Sequence, residues 1–224
     1  MELLNVAKIV TVTDHFRPGH VQYKDPATKA VYRRVVGGLA WPRDVRPGAL
    51  VVLVEHAQPV PGQDTRKVEI AAEFTDDDPD QLLRRASMWS ELLSCRAWMS
   101  PVGAPEMRLA MDYNDSRRRL RLPQLDLGHP PSVNGNRDWA AYNRLMERRT
   151  RGAKTMFFGD VSLVSREYKG RQRAELSRSL ELYPLLAAFL WALASIDLDT
   201  PLEAAGRDFS GAAHGGPADD LGGY

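Results

Sequence analysis

Three groups of basic residues in the second half of the chain have the composition of a phosphate-binding surface. They are Arg117, Arg118, Arg119 and Arg121; Arg148, Arg149, Arg151 and Lys154; and Arg166, Lys169, Arg171 and Arg173. Arginine binds phosphate oxygens through a planar, permanently charged fork, and such contacts supply most of the sequence-independent affinity for nucleic acid. All three groups flank predicted loops, so we interpret them as a DNA contact on one face. Solvated loops and helix ends are the alternative.

Other catalytic chemistries lack their sequence signatures. The chain contains no Gly-x-Ser-x-Gly motif, no Gly-rich phosphate loop and no Walker A sequence. His15 and His20 flank a Pro-Gly turn, but no third ligand follows at metal spacing, which favours an exposed loop. The single cysteine, Cys95, ends an apolar helix face and is predicted to be a buried small hydrophobe. Serine hydrolase, thiol and dinucleotide chemistry are therefore not supported.

The composition is that of a globular chain without a strong electrostatic field. Of its 224 residues, 43% are apolar and 26% charged, and the formal net charge is +1. This is enough apolar content for a sizeable core, and no global charge attracts nucleic acid or a membrane. The N-terminus lacks a signal-peptide pattern and no apolar run has the length of a membrane span, so we expect no membrane partner.

Two strands and a helix form the predicted core that must position any site. Ala49 to Val54 are consecutive apolar residues, typical of a strand covered on both faces, and the carboxylate of Glu55 follows them. Lys67 to Phe74 alternates with a period of two, which predicts a second strand paired antiparallel to the first. Asp80 to Ser94 has apolar residues at helical spacing and an acidic start that favours a helix N-terminus.

The remaining pattern extends this core to an α/β domain with a mixed sheet flanked by helices. Arg96 to Ser100 is predicted as a return strand, and residues 123–136 as a long irregular loop. A helix begins near Asp138, Thr155 to Phe158 form a short strand, and the last helix covers residues 173–196. We divide the chain into N-terminal strands and a loop packing on the core (1–44), the α/β core domain (45–196) and a flexible tail (197–224).

This order of elements is similar to the ribonuclease H-like fold, and in particular to the nuclease domain of phage large terminases. The resemblance is carried by Val51 to Glu55, by the strand Val68 to Phe74 with its acidic helix start, and by Ala187 to Leu193 in the last helix. It covers roughly residues 45 to 196. It implies a phage or prophage protein that contacts DNA, located in the host-cell cytoplasm or associated with the virion.

The resemblance also implies a site for Mg²⁺ or Mn²⁺, held by acids from the first strand, a later strand and the last helix. Glu55 fits the first position, as catalytic residue and metal ligand. The return strand ends in Ser100, beyond which Glu106 is the nearest acid and the implied second ligand. Ala187 stands at the helix position, so Asp160, at the end of a predicted strand, is the implied substitute as catalytic residue and ligand. Because the expected acid is missing at two of the three positions, the resemblance implies a degenerate metal site.

Two classes of function therefore stay open. The first is a terminase-nuclease-like domain that contacts DNA, in which the three acids share a cation if the protein cleaves. The alternative is a non-enzymatic structural or assembly module, in which loop 114–137 or tail 197–224 binds a protein partner. Carboxylates that converge favour the first class, and carboxylates that lie apart favour the second.

Overall fold

The computed structural model describes residues 10–13, 21–24, 31–62, 65–93, 95, 97–101, 103–122, 124–133, 135, 139–149, 163–173 and 183–211. The strands are β1 (Val10–Thr13), β2 (Val21–Lys24), β3 (Val31–Ala40), β4 (Gly48–Pro59), β5 (Arg66–Asp76), β6 (Ala97–Met99) and β7 (Asp126–Gly128). The helices are α1 (Pro79–Leu93), α2 (Ala104–Arg119), α3 (Trp139–Glu147), α4 (Leu163–Arg173) and α5 (Pro184–Gly211).

The strands form one mixed sheet with β3 at its centre. Strands β1 to β5 pair with their chain neighbours in antiparallel fashion, β6 pairs parallel with β3, and β7 pairs parallel with β6. From one edge the order is β5, β4, β3, β6, β7, in which an antiparallel meander is followed by two parallel strands reached through α1 and α2. This is the ribonuclease H-like order of elements, so the predicted fold class is confirmed.

Helices cover both faces of the sheet, which explains the uninterrupted apolar run in β4. Leu50, Val52 and Val54 pack with the apolar face of α1, whereas Val51 and Leu53 pack with α5 and residues of α3 and α4. All five of these β4 side chains are fully buried. The two apolar clusters make a three-layer α/β/α arrangement, in which burial on both faces requires an apolar residue at every position of the strand.

Three elements differ from the sequence-based expectation. The strand predicted at residues 30–37 is β3, which is central in the sheet although it lies within the segment assigned to N-terminal strands packing on the core, and β7 lies within the predicted irregular loop. The last helix begins at Pro184, where the missing N–H costs nothing, and continues to Gly211, into the segment predicted as a flexible tail. The predicted strand at 155–158 falls outside the described residues. No helix in the described part of the chain is both long and apolar enough to cross a membrane.

Candidate functional site

Glu55 lies on the second strand of the ribonuclease H-like order and not on the first, which is β3. Its carboxylate is 2% exposed and accepts hydrogen bonds from Nε of Arg33 at 2.8 Å and Nε of Arg34 at 3.2 Å. Arg34 is itself fixed, because its Nη2 donates to the backbone carbonyl of Ile196 at 3.0 Å. Arg33 and Arg34 therefore already neutralise the negative charge of Glu55, which a metal ion would need for its own binding.

The strand register separates Glu55 from Glu106. Glu55 pairs with Arg34 near the start of β3, whereas β6 pairs with β3 at Gly37 and Gly38, so that its end lies toward the other end of the sheet. Glu106 follows β6 in the first turn of α2. The four residue steps from Arg34 to Gly38, which pairs with the last residue of β6, correspond to roughly 13 Å along the sheet. The two carboxylates do not converge, and Asp160 lies outside the described residues.

Backbone contact fills the place where the first strand and the last helix face each other. A Cβ atom built on Gly38 would overlap the carbonyl oxygen of Ala188 and lie 2.6 Å from its carbonyl carbon. The neighbouring Gly37 is covered in the same way by the indole ring of Trp98. There is no space between β3 and α5 for a carboxylate and a cation at this level. Among the described residues, no three His, Cys, Asp or Glu side chains are grouped so that they could hold a metal ion.

Two carboxylates that the sequence analysis missed, one buried and one partly buried, have structural roles at helix N-termini. Glu73 of β5 accepts hydrogen bonds from the backbone N–H groups of Leu163, at 2.8 Å, and Val164, at 3.1 Å, in the first turn of α4. Glu167, one turn along α4, accepts from the N–H of Leu186 in the first turn of α5, at 2.9 Å. Burial, opposed by the bonds from α5 and reinforced by the charge of Glu73, raises the pKa of Glu167 to about 7. These carboxylates join β5, α4 and α5 in series.

Glu167→Gln is expected to remove part of the pH dependence of folding. Since the folded pKa is about 7 and the usual value 4.5, the folded state binds more protons than the unfolded state between these limits. Stability is then highest below pH 4.5 and falls as the pH rises through 7, by about 2 to 3 kcal/mol. Glutamine keeps the acceptor for Leu186 without the charge. Urea unfolding at pH 5 and pH 8 measures this loss of stability, and the exposed Asp112→Asn is the control. If the free energy of unfolding changes between the two pH values as much in Glu167→Gln as in the wild type, the assignment to Glu167 is wrong.

The first arginine group stands at the C-terminal end of α2, and its position is fixed. Tyr113 shares a 2.9 Å hydrogen bond with Ser87 of α1, and the side chain of Asn114 donates to the carbonyl of Leu125 and accepts from its N–H. Arg117 is buried and paired with Glu91 of α1, so it anchors the helix. The remaining members, Arg118, Arg119 and Arg121, are exposed.

The turn that ends α2 has an unusual residue at its left-handed position. The N–H of Leu122 donates to the carbonyl of Arg117 at 2.9 Å, and that of Arg121 to the carbonyl of Arg118 at 3.0 Å. This pair of bonds defines a Schellman ending, in which the left-handed residue is usually glycine. Here Arg121 occupies it, with φ of 59°. We call residues 117–122 the arginine turn.

The second arginine group is divided between structure and surface. Arg149, 3% exposed, pairs with Asp197 of α5 through both Nε and Nη2, and its Nη1 donates to the carbonyl of Arg66 at 2.6 Å. This residue is a structural clamp, and its predicted role as a free nucleic-acid contact has to be corrected. Arg148 is exposed, 3.8 Å from Asp197. Arg151 and Lys154 fall outside the described residues.

Both groups lie at the same end of the sheet but on opposite faces. The arginine turn precedes β7, which starts at the end where β3 and β6 start, and Arg149 contacts the start of β5 at that end. The same end carries Glu69, whose pKa is lowered to about 2 by its hydrogen bond to His56 and by Lys67. The first two arginine groups therefore share one end of the sheet, and they do not share one face as the sequence analysis expected.

A search of solved structures gives a distant likeness. The crystal structure of the fowlpox virus Holliday junction resolvase aligns with 75% of this chain and 99% of its own, at 9% sequence identity and a TM-score of 0.35. No protein-family model and no curated protein matches the chain. A likeness of this size carries no argument about activity. The class of the protein, an α/β domain with the ribonuclease H-like order of elements, rests on its own strand pairing.

Proposed function

We propose that this chain is a DNA-binding domain of ribonuclease H-like order that holds duplex DNA without cleaving it, as expected of a phage or prophage protein with a degenerate metal site. The observation that carries the proposal is Arg121, which adopts a left-handed backbone at a helix end where glycine is favoured. For a residue with a Cβ this conformation costs on the order of 1 kcal/mol. Such strain commonly marks a residue whose side chain has a function.

The surroundings of Arg121 support a phosphate contact. Arg118 and Arg119 are exposed beside it, and the anchored Arg117 and the Schellman bonds hold the turn rigid. The acid close in sequence, Asp115, is 3.2 Å from Arg118 and balances one of these charges. The fixed backbone of the turn keeps the three exposed arginines close together, so that they can contact neighbouring phosphates at the same time.

The absence of cleavage is supported by the centre of the fold. The first strand, β3, and the last helix, α5, are in backbone contact at Gly38 and Ala188, beside the helix position Ala187 at which the resemblance expects an acid, and Glu55 is paired with two arginines. A cleaving version of the domain would hold Mg²⁺ or Mn²⁺ with Glu55, Glu106 and Asp160. The separation of the first two along the sheet argues against that version.

Replacing Arg118 and Arg119 together by alanine is expected to weaken binding of duplex DNA about tenfold at physiological salt. The salt dependence of the affinity should fall by about two released ions, because two phosphate contacts are lost. Fluorescence anisotropy of a labelled duplex measures both quantities. The matched control is Arg84→Ala with Arg144→Ala, which removes two exposed helix arginines outside the three basic groups. Equal losses in the two double variants would contradict a localised contact.

Arg121→Gly separates function from stability. Glycine relieves the left-handed strain, so the free energy of unfolding should rise by about 1 kcal/mol, while loss of the guanidinium should weaken DNA binding severalfold. Urea unfolding and anisotropy on the same sample test the pair of effects. A variant that is stabilised but binds DNA as tightly as the wild type would remove Arg121 from the interface.

A protein-binding assembly module is the second candidate. Leu109 and Met111 of α2 are 40% and 59% exposed, and exposed apolar side chains of this size can contact a partner protein. If the wild-type chain binds no DNA at all, Met111→Lys becomes the variant with which to test assembly.

A further inference from the structure

The two non-glycine residues with left-handed backbone in the described part of the chain share an unusual setting. Asp44 has φ of 54° and Arg121 has φ of 59°. Each adjoins a large apolar side chain that is strongly exposed: Val45 is 95% exposed and Leu120 is 70% exposed. Arg43 and Arg46 flank the first pair, and Arg119 precedes the second pair, in which Arg121 is itself a cation. The same combination of strain, an exposed apolar residue and flanking cations therefore occurs twice.

The first of these turns is a rigid hairpin between β3 and β4. Arg43 donates its N–H to the carbonyl of Arg46 at 3.2 Å, and Arg46 returns the bond at 3.0 Å, which leaves Asp44 and Val45 as the two tip residues. The base of the hairpin is fixed by the buried Trp41. Val45 therefore presents nearly its whole apolar side chain at the tip, between the neighbouring residues Arg43 and Arg46.

The two tips stand at opposite ends of α2. Arg43 and Pro101 line the same small pocket, and α2 begins shortly after Pro101. The 16 residues of α2 span on the order of 25 Å before the arginine turn. That separation corresponds to about seven base pairs of duplex DNA at 3.4 Å each.

We propose that Val45 and Leu120 are apolar wedges that enter one DNA duplex at two points and bend it, an inference that rests on the proposed DNA binding. Proteins bend DNA by inserting apolar side chains between base steps while cations hold the adjacent phosphates. Arg43 and Arg46 would hold the phosphates beside the first wedge, where their two positive charges exceed the one negative charge of Asp44. Arg119 and Arg121 serve the second.

The test is the end-to-end distance of a duplex of about 30 base pairs that carries a donor and an acceptor dye at its two ends. Wild-type protein should raise the energy-transfer efficiency on binding. Val45→Ser with Leu120→Ser should abolish that rise and weaken binding about tenfold. The matched control is Leu92→Ser with Met111→Ser, which removes two exposed apolar side chains away from the strained turns. All these positions are exposed, so a thermal melt should show folded protein throughout.

The outcomes distinguish this inference from the proposed function. Arginine-dependent anisotropy without any change in energy transfer would overturn the wedges and leave DNA binding intact. A rise in energy transfer that survives Val45→Ser with Leu120→Ser would also overturn them. No anisotropy change with wild-type protein would overturn the proposed function itself.

Discussion

Gly38→Ala is expected to lower the free energy of unfolding by about 3 kcal/mol or more. The added Cβ would overlap the backbone carbonyl of Ala188, and neither β3 nor α5 can move at that point without disturbing the central layer of the core. Urea denaturation at neutral pH measures the loss. The midpoint concentration of urea should fall, while the dependence of the free energy of unfolding on urea concentration stays the same.

The control is another strand glycine with ordinary space around it. A Cβ on Gly128 in β7 would meet only the side chain of Met99, at 3.5 Å, so Gly128→Ala should change stability by less than about 1 kcal/mol. If Gly38→Ala is tolerated equally well, β3 and α5 are not in contact. There would then be space between β3 and α5 for a carboxylate and a cation.

Asp197→Ala is expected to lower the free energy of unfolding by about 3 to 5 kcal/mol. Its carboxylate is 2% exposed and pairs with Arg149, which is 3% exposed. Removing Asp197 takes away the carboxylate that balances the buried guanidinium of Arg149, while the carbonyl of Arg66 remains as a hydrogen-bond acceptor. Chemical denaturation of the single variant measures the loss.

A double-mutant cycle separates the pair from the positions. Arg149→Ala alone should cost as much as Asp197→Ala, and the double variant should cost less than the sum of the two. The exposed pair of Arg118 and Asp115, with side chains 67% and 53% exposed, is the control, and its coupling energy should be about 0.5 kcal/mol or less. Additive losses at Arg149 and Asp197 would show that the pair is not coupled.

The core elements were predictable because their sequence patterns are determined locally. The apolar run of β4, the alternation in β5 and the amphipathic pattern of α1 each require only the burial of one or two faces. The structure confirms them at Gly48–Pro59, Arg66–Asp76 and Pro79–Leu93. Their order was sufficient to identify the mixed sheet and its ribonuclease H-like sequence of elements.

The sequence predicts a strand at residues 30–37, but not that this strand, β3, is the centre of the sheet, because that place depends on its neighbours. β3 contains Arg33 and Arg34, which are paired with Glu55, and Gly37 and Gly38, which are required by the approach of Trp98 and α5. Arginines and glycines are weak strand signals. The stronger run of β4 was therefore taken as the first strand, which shifted the implied metal ligand to Glu55.

The site residues that sequence reasoning missed depend on tertiary contacts. Glu73 occupies the polar side of an alternating strand, a position that predicts solvent, but the start of α4 covers it. The left-handed conformation of Arg121 has no local signal, because glycine is the residue that would announce it. One signal was present for the arginine turn, namely four cations within residues 117–121.

The central claim is that the domain binds duplex DNA and leaves it intact. The direct measurement is to saturate an end-labelled duplex with wild-type protein in the presence of Mn²⁺, confirm binding by anisotropy, and then separate the strands on a denaturing gel. We expect bound DNA with full-length strands. Cut strands that depend on Mn²⁺ and disappear with Glu55→Gln would contradict it, because they would show a working metal centre on the strand where the structure places an ion pair with arginine.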